Sequence, residues 1–167
     1  MPTLLLTVTV LAALGCGTMA GLFFAFSVFV MKALGARPAA EGIAAMQAIN
    51  VKILTPRFFL LFFGSAALCV VLAIAALLDL SAQGALYALL GGLLYLAGCI
   101  GVTMVFNVPL NNALAAADPA SEAGAAFWGR YLSVWTAWNH LRTLACLAAA
   151  ALLIFAAVAQ PAALDGL

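Results

Sequence analysis

Apolar residues run for membrane-spanning lengths in four places, from about Leu4 to Leu34, Phe58 to Leu78, Ala85 to Phe106, and Tyr131 to Ala159. About 20 such residues cross the roughly 30 Å of hydrocarbon as a helix, so the pattern predicts four spanning helices. The first is longer than a crossing needs and must tilt or project. The fourth is purely apolar only over Ala145–Ala159. About 20 residues counted back from Ala159 reach His140, and amphipathic sequence continues to about Phe127, so this helix projects into the polar zone. Between the first two spans, Ile43, Met46 and Ile49 recur every third residue, the spacing of a short amphipathic helix on the bundle end or in the interface. Pro56 suits the first turn of the second span. Asp118-Pro119 marks a turn, and Ser121-Glu122 a helix cap. The expected fold is all-α: an integral membrane four-helix bundle with a short amphipathic helix in the first loop. One domain covers residues 1–167, with spans at about 4–34, 58–78, 85–106 and 131–159.

Composition agrees. The chain is 68% hydrophobic and 7% charged, far from the roughly 25% charged residues of soluble domains. Its net charge of +1 leaves nothing to neutralise a row of phosphates, which excludes a nucleic-acid partner. No Lys or Arg precedes Lys32, and the first apolar run outlasts the h-region of a signal peptide, so it reads as a retained helix. All six basic residues (Lys32, Arg37, Lys52, Arg57, Arg130, Arg142) lie in or beside the first and third loops. The positive-inside rule therefore predicts a multi-pass protein of the cytoplasmic membrane, with those loops cytoplasmic and both termini outside.

Small residues mark helix contacts. Gly17 and Gly21 form a GxxxG element, and Ala97 with Gly101 a similar pair. These read first as close packing within the bundle, with a homo-oligomer through Gly17 and Gly21 as the alternative. Cys16, Cys69, Cys99 and Cys146 each occupy a different span. They read as buried, reduced thiols, because they lack the paired spacing of zinc sites and four thiolates in hydrocarbon would be costly. No metal site is expected.

The remaining polar residues gather near one membrane face. Span two is entered from Asn50 and Lys52, span three leaves through Asn107, Pro109 and Asn111, and span four is entered through Trp135, Asn139, His140 and Arg142. At about 100° per residue, Arg142, Trp135, Asn139, Thr143, Thr136 and His140 sweep one arc, with Tyr131 and Trp138 assigned to the lipid side. The arc should face the other helices, since lipid offers it no partners. Asn107 and Asn111 share a face of span three, as do Thr103 and Asn107. If the helix continues through Pro109, an asparagine amide can satisfy the carbonyl the proline frees. One pocket holding Asn50, Asn107, Asn111, Asn139, His140 and Arg142 is the expectation. Each also has a plain role as helix glue or headgroup contact. The runs Phe23-Phe24-Ala25-Phe26 and Phe58-Phe59-Leu60-Leu61-Phe62-Phe63 read as packing, or as an aromatic wall for a flat ligand.

Four segments carry a family resemblance: Gly21-Leu22-Phe23-Phe24-Ala25-Phe26-Ser27, Met46-Gln47-Ala48-Ile49-Asn50, Phe106-Asn107-Val108-Pro109-Leu110-Asn111 and Trp135-Thr136-Ala137-Trp138-Asn139-His140-Leu141-Arg142-Thr143. Together they resemble the anthrone oxygenase-like family of small four-helix membrane proteins, over about Leu4 to Ala159. Members in fungal polyketide pathways oxidise anthrones to anthraquinones with O2, without a metal or organic cofactor. The resemblance implies an oxidoreductase acting on an apolar anthrone-like aromatic. His140 would be the general base, with Arg142 and Asn139 completing the catalytic set through oxyanion stabilisation. Asn50, Asn107, Asn111, Trp135 and Phe26 would bind substrate. His140 suits that role as the one side chain whose ordinary pKa is near neutrality. The alternatives are a non-catalytic protein binding a quinone or lipid, and a small transporter or accessory subunit. Haem would find only one histidine.

Overall fold

A computed structural model describes residues 2–160, and within them the chain is all-α. Helices α1 (Thr3–Gly35), α3 (Pro56–Leu78), α4 (Ala85–Ala115) and α5 (Glu122–Ala159) are long and apolar enough to cross a membrane, and the protein is a multi-pass integral membrane protein. A short helix, α2 (Ala39–Lys52), bridges α1 and α3. Local chemistry sets the starts. Thr55 accepts a bond from the Phe58 N–H at 3.2 Å with Pro56 in the first turn, and Ser121 accepts from Gly124 at 3.0 Å. Gly84 opens α4 with a φ of 81°, where an added Cβ would also meet the Ala156 carbonyl at 2.7 Å.

Length divides the molecule into two storeys. The 23 residues of α3 make a helix roughly 35 Å long, about one hydrocarbon thickness. The 33, 31 and 38 residues of α1, α4 and α5 overshoot it. The crossing part is packed around Cys16, Met19, Phe62, Cys69, Leu72, Tyr95, Cys99, Cys146 and Leu153. Beyond it, the ends of α1, α4 and α5 join α2 around a second core of Met31, Ile43, Met46, Leu114, Trp128, Tyr131 and Trp135. The cysteines are buried in the first core, with the Cys16 and Cys69 sulfurs 3.9 Å apart.

Along α5 the buried positions include Trp128, Tyr131, Trp135, Asn139, Arg142, Cys146, Ala149, Leu153 and Ala156, flanked by Thr143, Ala145 and Ala150. Steps of three and four form a seam of about 3.5 residues per turn. Tyr131, expected on the lipid side, is therefore fully buried. Trp138 is half-buried and stacks on Phe106 at 3.6 Å between ring centroids. Helix α4 packs tightly on α5 at Gly91 and at Gly98, where an added Cβ would collide with Ala145, whereas one at Gly101 would meet no atom of α5 within 4 Å. Gly17 packs beside Ala150, and Gly21 lies exposed on the outer face.

Three stretches are wound as π-helix: Phe26–Val30 in α1, and Leu94–Gly101 and Thr103–Asn107 in α4. The last lies immediately before Pro109, where a widened turn relieves the clash of the proline ring with the carbonyl a turn earlier. Helix α4 thus runs through Pro109. No asparagine reaches back to that carbonyl; Asn107 Nδ2 instead donates to the Trp135 carbonyl on α5 at 3.3 Å. Helix α3 packs on α4 over Ala85–Gly101 and makes little contact with Thr103–Asn107. That parting leaves a space.

Candidate functional site

The space is a pocket of about 290 Å³ between the two storeys, contacted by all five helices. Its apolar walls are aromatic on two sides, with Phe23 and Phe26 from α1 and Phe58, Phe59, Phe62 and Phe63 from the start of α3. Helix α2 and the residue that caps it supply the lid residues Met46, Ile49 and Ile53. Three wall residues, Phe59, Phe63 and Met104, are 41%, 48% and 53% exposed. The pocket therefore reaches the outer surface between α3 and α4, the side that lipid covers.

Its inner end is polar. Arg142 is only 4% exposed, yet among the described residues no carboxylate lies within ion-pair reach of it. Its Nη2 donates to Asn139 Oδ1 at 2.6 Å and its Nη1 to Thr103 Oγ1 at 3.2 Å. The guanidinium lies 4.1 Å from the Phe23 ring centroid and 5.2 Å from that of Trp135, attractive contacts for a desolvated cation. Asn139 is the clamp: its Nδ2 donates to the Phe23 carbonyl at 2.7 Å and to Ser27 Oγ at 2.8 Å. Ser27 also shares a hydrogen bond with Thr143 at 3.1 Å.

The spare polar atoms on the pocket wall are donors, and the one unpartnered buried amide oxygen among the described side chains, Asn107 Oδ1, belongs to a residue behind that wall. Trp135 Nε1 and the Tyr131 hydroxyl both donate to Asn111 Oδ1, at 2.7 and 2.8 Å. An indole nitrogen can only donate, so the accepting atom is the amide oxygen and the N–H₂ end of Asn111 stays uncommitted. Asn50 Nδ2 and Arg142 Nε are buried without a partner. Thr103 Oγ1 spends its own hydrogen on the Cys99 carbonyl at 2.7 Å. A buried donor without an acceptor is costly. This wall is thus complementary to a ligand that brings a carbonyl oxygen or an oxyanion, and the residues lining it include no carboxylate, imidazole or thiol.

Of the residues expected in one pocket, the structure brings Asn50, Asn111 and Arg142 to its walls, with Asn139 directly behind Arg142, and Trp135 and Phe26, expected to bind substrate, also line it. Asn107 is 1% exposed and stands behind the wall, holding the Trp135 carbonyl. His140 is elsewhere. It is exposed and lines a separate groove with Ser27, Lys32 and Thr136. The helix dictates this: His140 is two residues, or about 200°, from Arg142, whereas Tyr131, eleven residues away, is displaced by only about 20°. The arc is centred on Trp135, and His140 falls beyond its edge.

A family model described as anthrone oxygenase matches residues 58–152. The chain belongs to the anthrone oxygenase family. No curated protein and no solved structure matches it. The part matched to the anthrone oxygenase model contains the Phe58–Phe63 wall, Thr103, Asn107, Asn111, Trp135, Asn139 and Arg142. Phe23, Phe26 and Asn50, which complete the pocket from α1 and α2, lie outside it. Tyr131 was the residue missed from the pattern, and its signal was present: Trp128, Tyr131 and Trp135 begin the three-and-four spacing that Asn139 and Arg142 continue.

Proposed function

We propose that this protein is a membrane-embedded oxygenase that takes a flat, apolar, anthrone-like aromatic from the bilayer and oxidises it with O2, needing no metal or organic cofactor. The observation that carries this is the pocket's polarity: aromatic walls ending in a buried, uncompensated guanidinium among donors that lack acceptors. An anthrone carries one ring carbonyl opposite an acidic CH2. Its carbonyl oxygen meets Arg142, Asn50 and Asn111, and loss of a CH2 proton places negative charge on that oxygen, where these donors stabilise it. With no base among the lining side chains, the proton passes to water at the mouth of the pocket. The anion transfers an electron to O2, and the substrate radical and superoxide combine to form a C–O bond. The peroxide is protonated, then loses the second CH2 proton as the O–O bond breaks and hydroxide departs. The net change is CH2 plus O2 to C=O plus water.

This reading moves the weight from His140 to Arg142. Arg142→Gln should lower turnover in an anthrone-dependent O2-uptake assay by about 10²–10³-fold, the scale of losing a strong oxyanion donor. His140→Ala should remain close to wild type. Full turnover in folded Arg142→Gln, or no anthrone-dependent uptake by the wild type, would overturn the proposal. A non-catalytic quinone-binding protein would use the same donors on a quinone carbonyl, and it predicts saturable quinone binding with no O2 uptake.

A further inference from the structure

We propose that the groove lined by His140 is a binding site for the phosphate of an anionic phospholipid. The groove, about 380 Å³, runs between α1 and α5 on the surface away from the pocket. Lys32 and His140 both line it, both are exposed, and among the described residues neither makes an ion pair. Thr136 Oγ1, also on its wall, is buried without a hydrogen-bond partner. The floor is apolar, with Met31 and Leu132, and it exists because Gly35 and Gly129 have no side chains. A Cβ added at Gly129 would meet nothing within 4 Å.

Its depth fits a headgroup. Cys16 of α1 faces Cys69 of α3, so thirteen residues further along α1, Phe29 stands level with Pro56, where α3 begins. Asn139 bonds to Ser27, which places His140 near that level and Lys32 about one turn beyond it. An unpaired lysine and an exposed imidazole thus flank the end of the shortest span, above an apolar floor on which an acyl chain can lie. Basic pockets between spanning helices at this depth bind anionic headgroups. The groove is independent of the substrate pocket, and its test does not depend on catalysis.

Native mass spectrometry of the detergent-purified full chain, titrated with phosphatidylglycerol and separately with phosphatidylcholine, reads the site directly. The wild type should retain phosphatidylglycerol more tightly. Lys32→Gln should weaken it about fivefold, and Lys32→Gln with His140→Gln by more. Gly129→Leu should weaken it comparably, by filling the groove while leaving both basic residues in place. Lys52→Gln, outside the groove, should bind as wild type. Equal retention of the two lipids would overturn the site, as would wild-type affinity in both the double variant and Gly129→Leu. An equal loss in Lys52→Gln would reduce the effect to diffuse charge. Full displacement by inorganic phosphate would assign the groove to a free anion instead.

Discussion

Asn111 offers the sharpest single-residue test, because its amide oxygen and nitrogen do different work. The oxygen is committed to Tyr131 and Trp135. Asn111→Asp preserves those two accepted bonds in a side chain of the same shape. It replaces the free N–H₂ with an acceptor oxygen carrying negative charge, beside the position proposed for the substrate oxyanion. Turnover should fall about 10²-fold, while the melting temperature moves by no more than about 3 °C. A folded Asn111→Asp protein with undiminished O2 uptake would remove Asn111 from the polar wall. At this scale the sequence was legible in kind and less so in direction. Asn50, Asn111, Trp135 and Arg142 were recognisable as costly to expose to lipid, and they line one pocket. Helical periodicity gives angles between residues on α5 but not which angle faces inward, and that left Tyr131 and His140 on the wrong sides. A buried tyrosine with a hydroxyl partner looks the same in sequence as one anchored at an interface.

Among the elements, α2 is held by a contact that hydropathy does not reveal. Gln47 Nε2 donates to the carbonyls of Leu114 at 2.8 Å and Ala117 at 3.0 Å, satisfying the carboxyl end of α4. Ile43 and Met46 are buried beneath it, as their spacing predicts. Since Met46, Ile49 and Ile53 line the pocket, a loosened α2 would open it, and any substrate proposed to bind there, to water. Gln47→Ala should cost about 1 kcal/mol through the Ala117 carbonyl left unpaired, the Leu114 carbonyl keeping its bond from the Ala117 N–H at 3.1 Å, and should raise KM more than it lowers kcat. Thermal unfolding and O2-uptake kinetics on one preparation check both, and an unchanged KM would show that α2 is not the lid. The spans were legible because apolar length is a strong signal. The overshoot of α4 past Phe106 was not, because the π-helical turns that carry it through Pro109 depend on packing against α5 rather than on local propensity.

The whole molecule is asymmetric from end to end. Five of the six basic residues lie at the end with the second core and Arg142 stands between the storeys, whereas Asp79 and Ser81 occupy the short turn at the other end. Because moving basic segments across the membrane is disfavoured, we propose from this asymmetry an orientation with Arg37, Lys52, Arg57 and Arg130 in the cytoplasm. In that orientation the lateral opening beside Phe63 and Met104 would face the cytoplasmic leaflet, so substrate would enter from that leaflet and its proton would leave to cytoplasmic water. Replacing the four native cysteines with alanine leaves a background on which single reporters can be placed. Ser81→Cys should react with a membrane-impermeant maleimide added to intact cells. Ala36→Cys, in the turn after α1, should react only once the membrane is opened. Each reporter is on an exposed turn, so neither disturbs a packed face. If removing the cysteines unfolds the bundle, the same reporters can be read in the native background, since all four thiols are buried and slow to label. Labelling of Ala36→Cys in intact cells, with Ser81→Cys protected, would invert the orientation and move the pocket mouth to the outer leaflet.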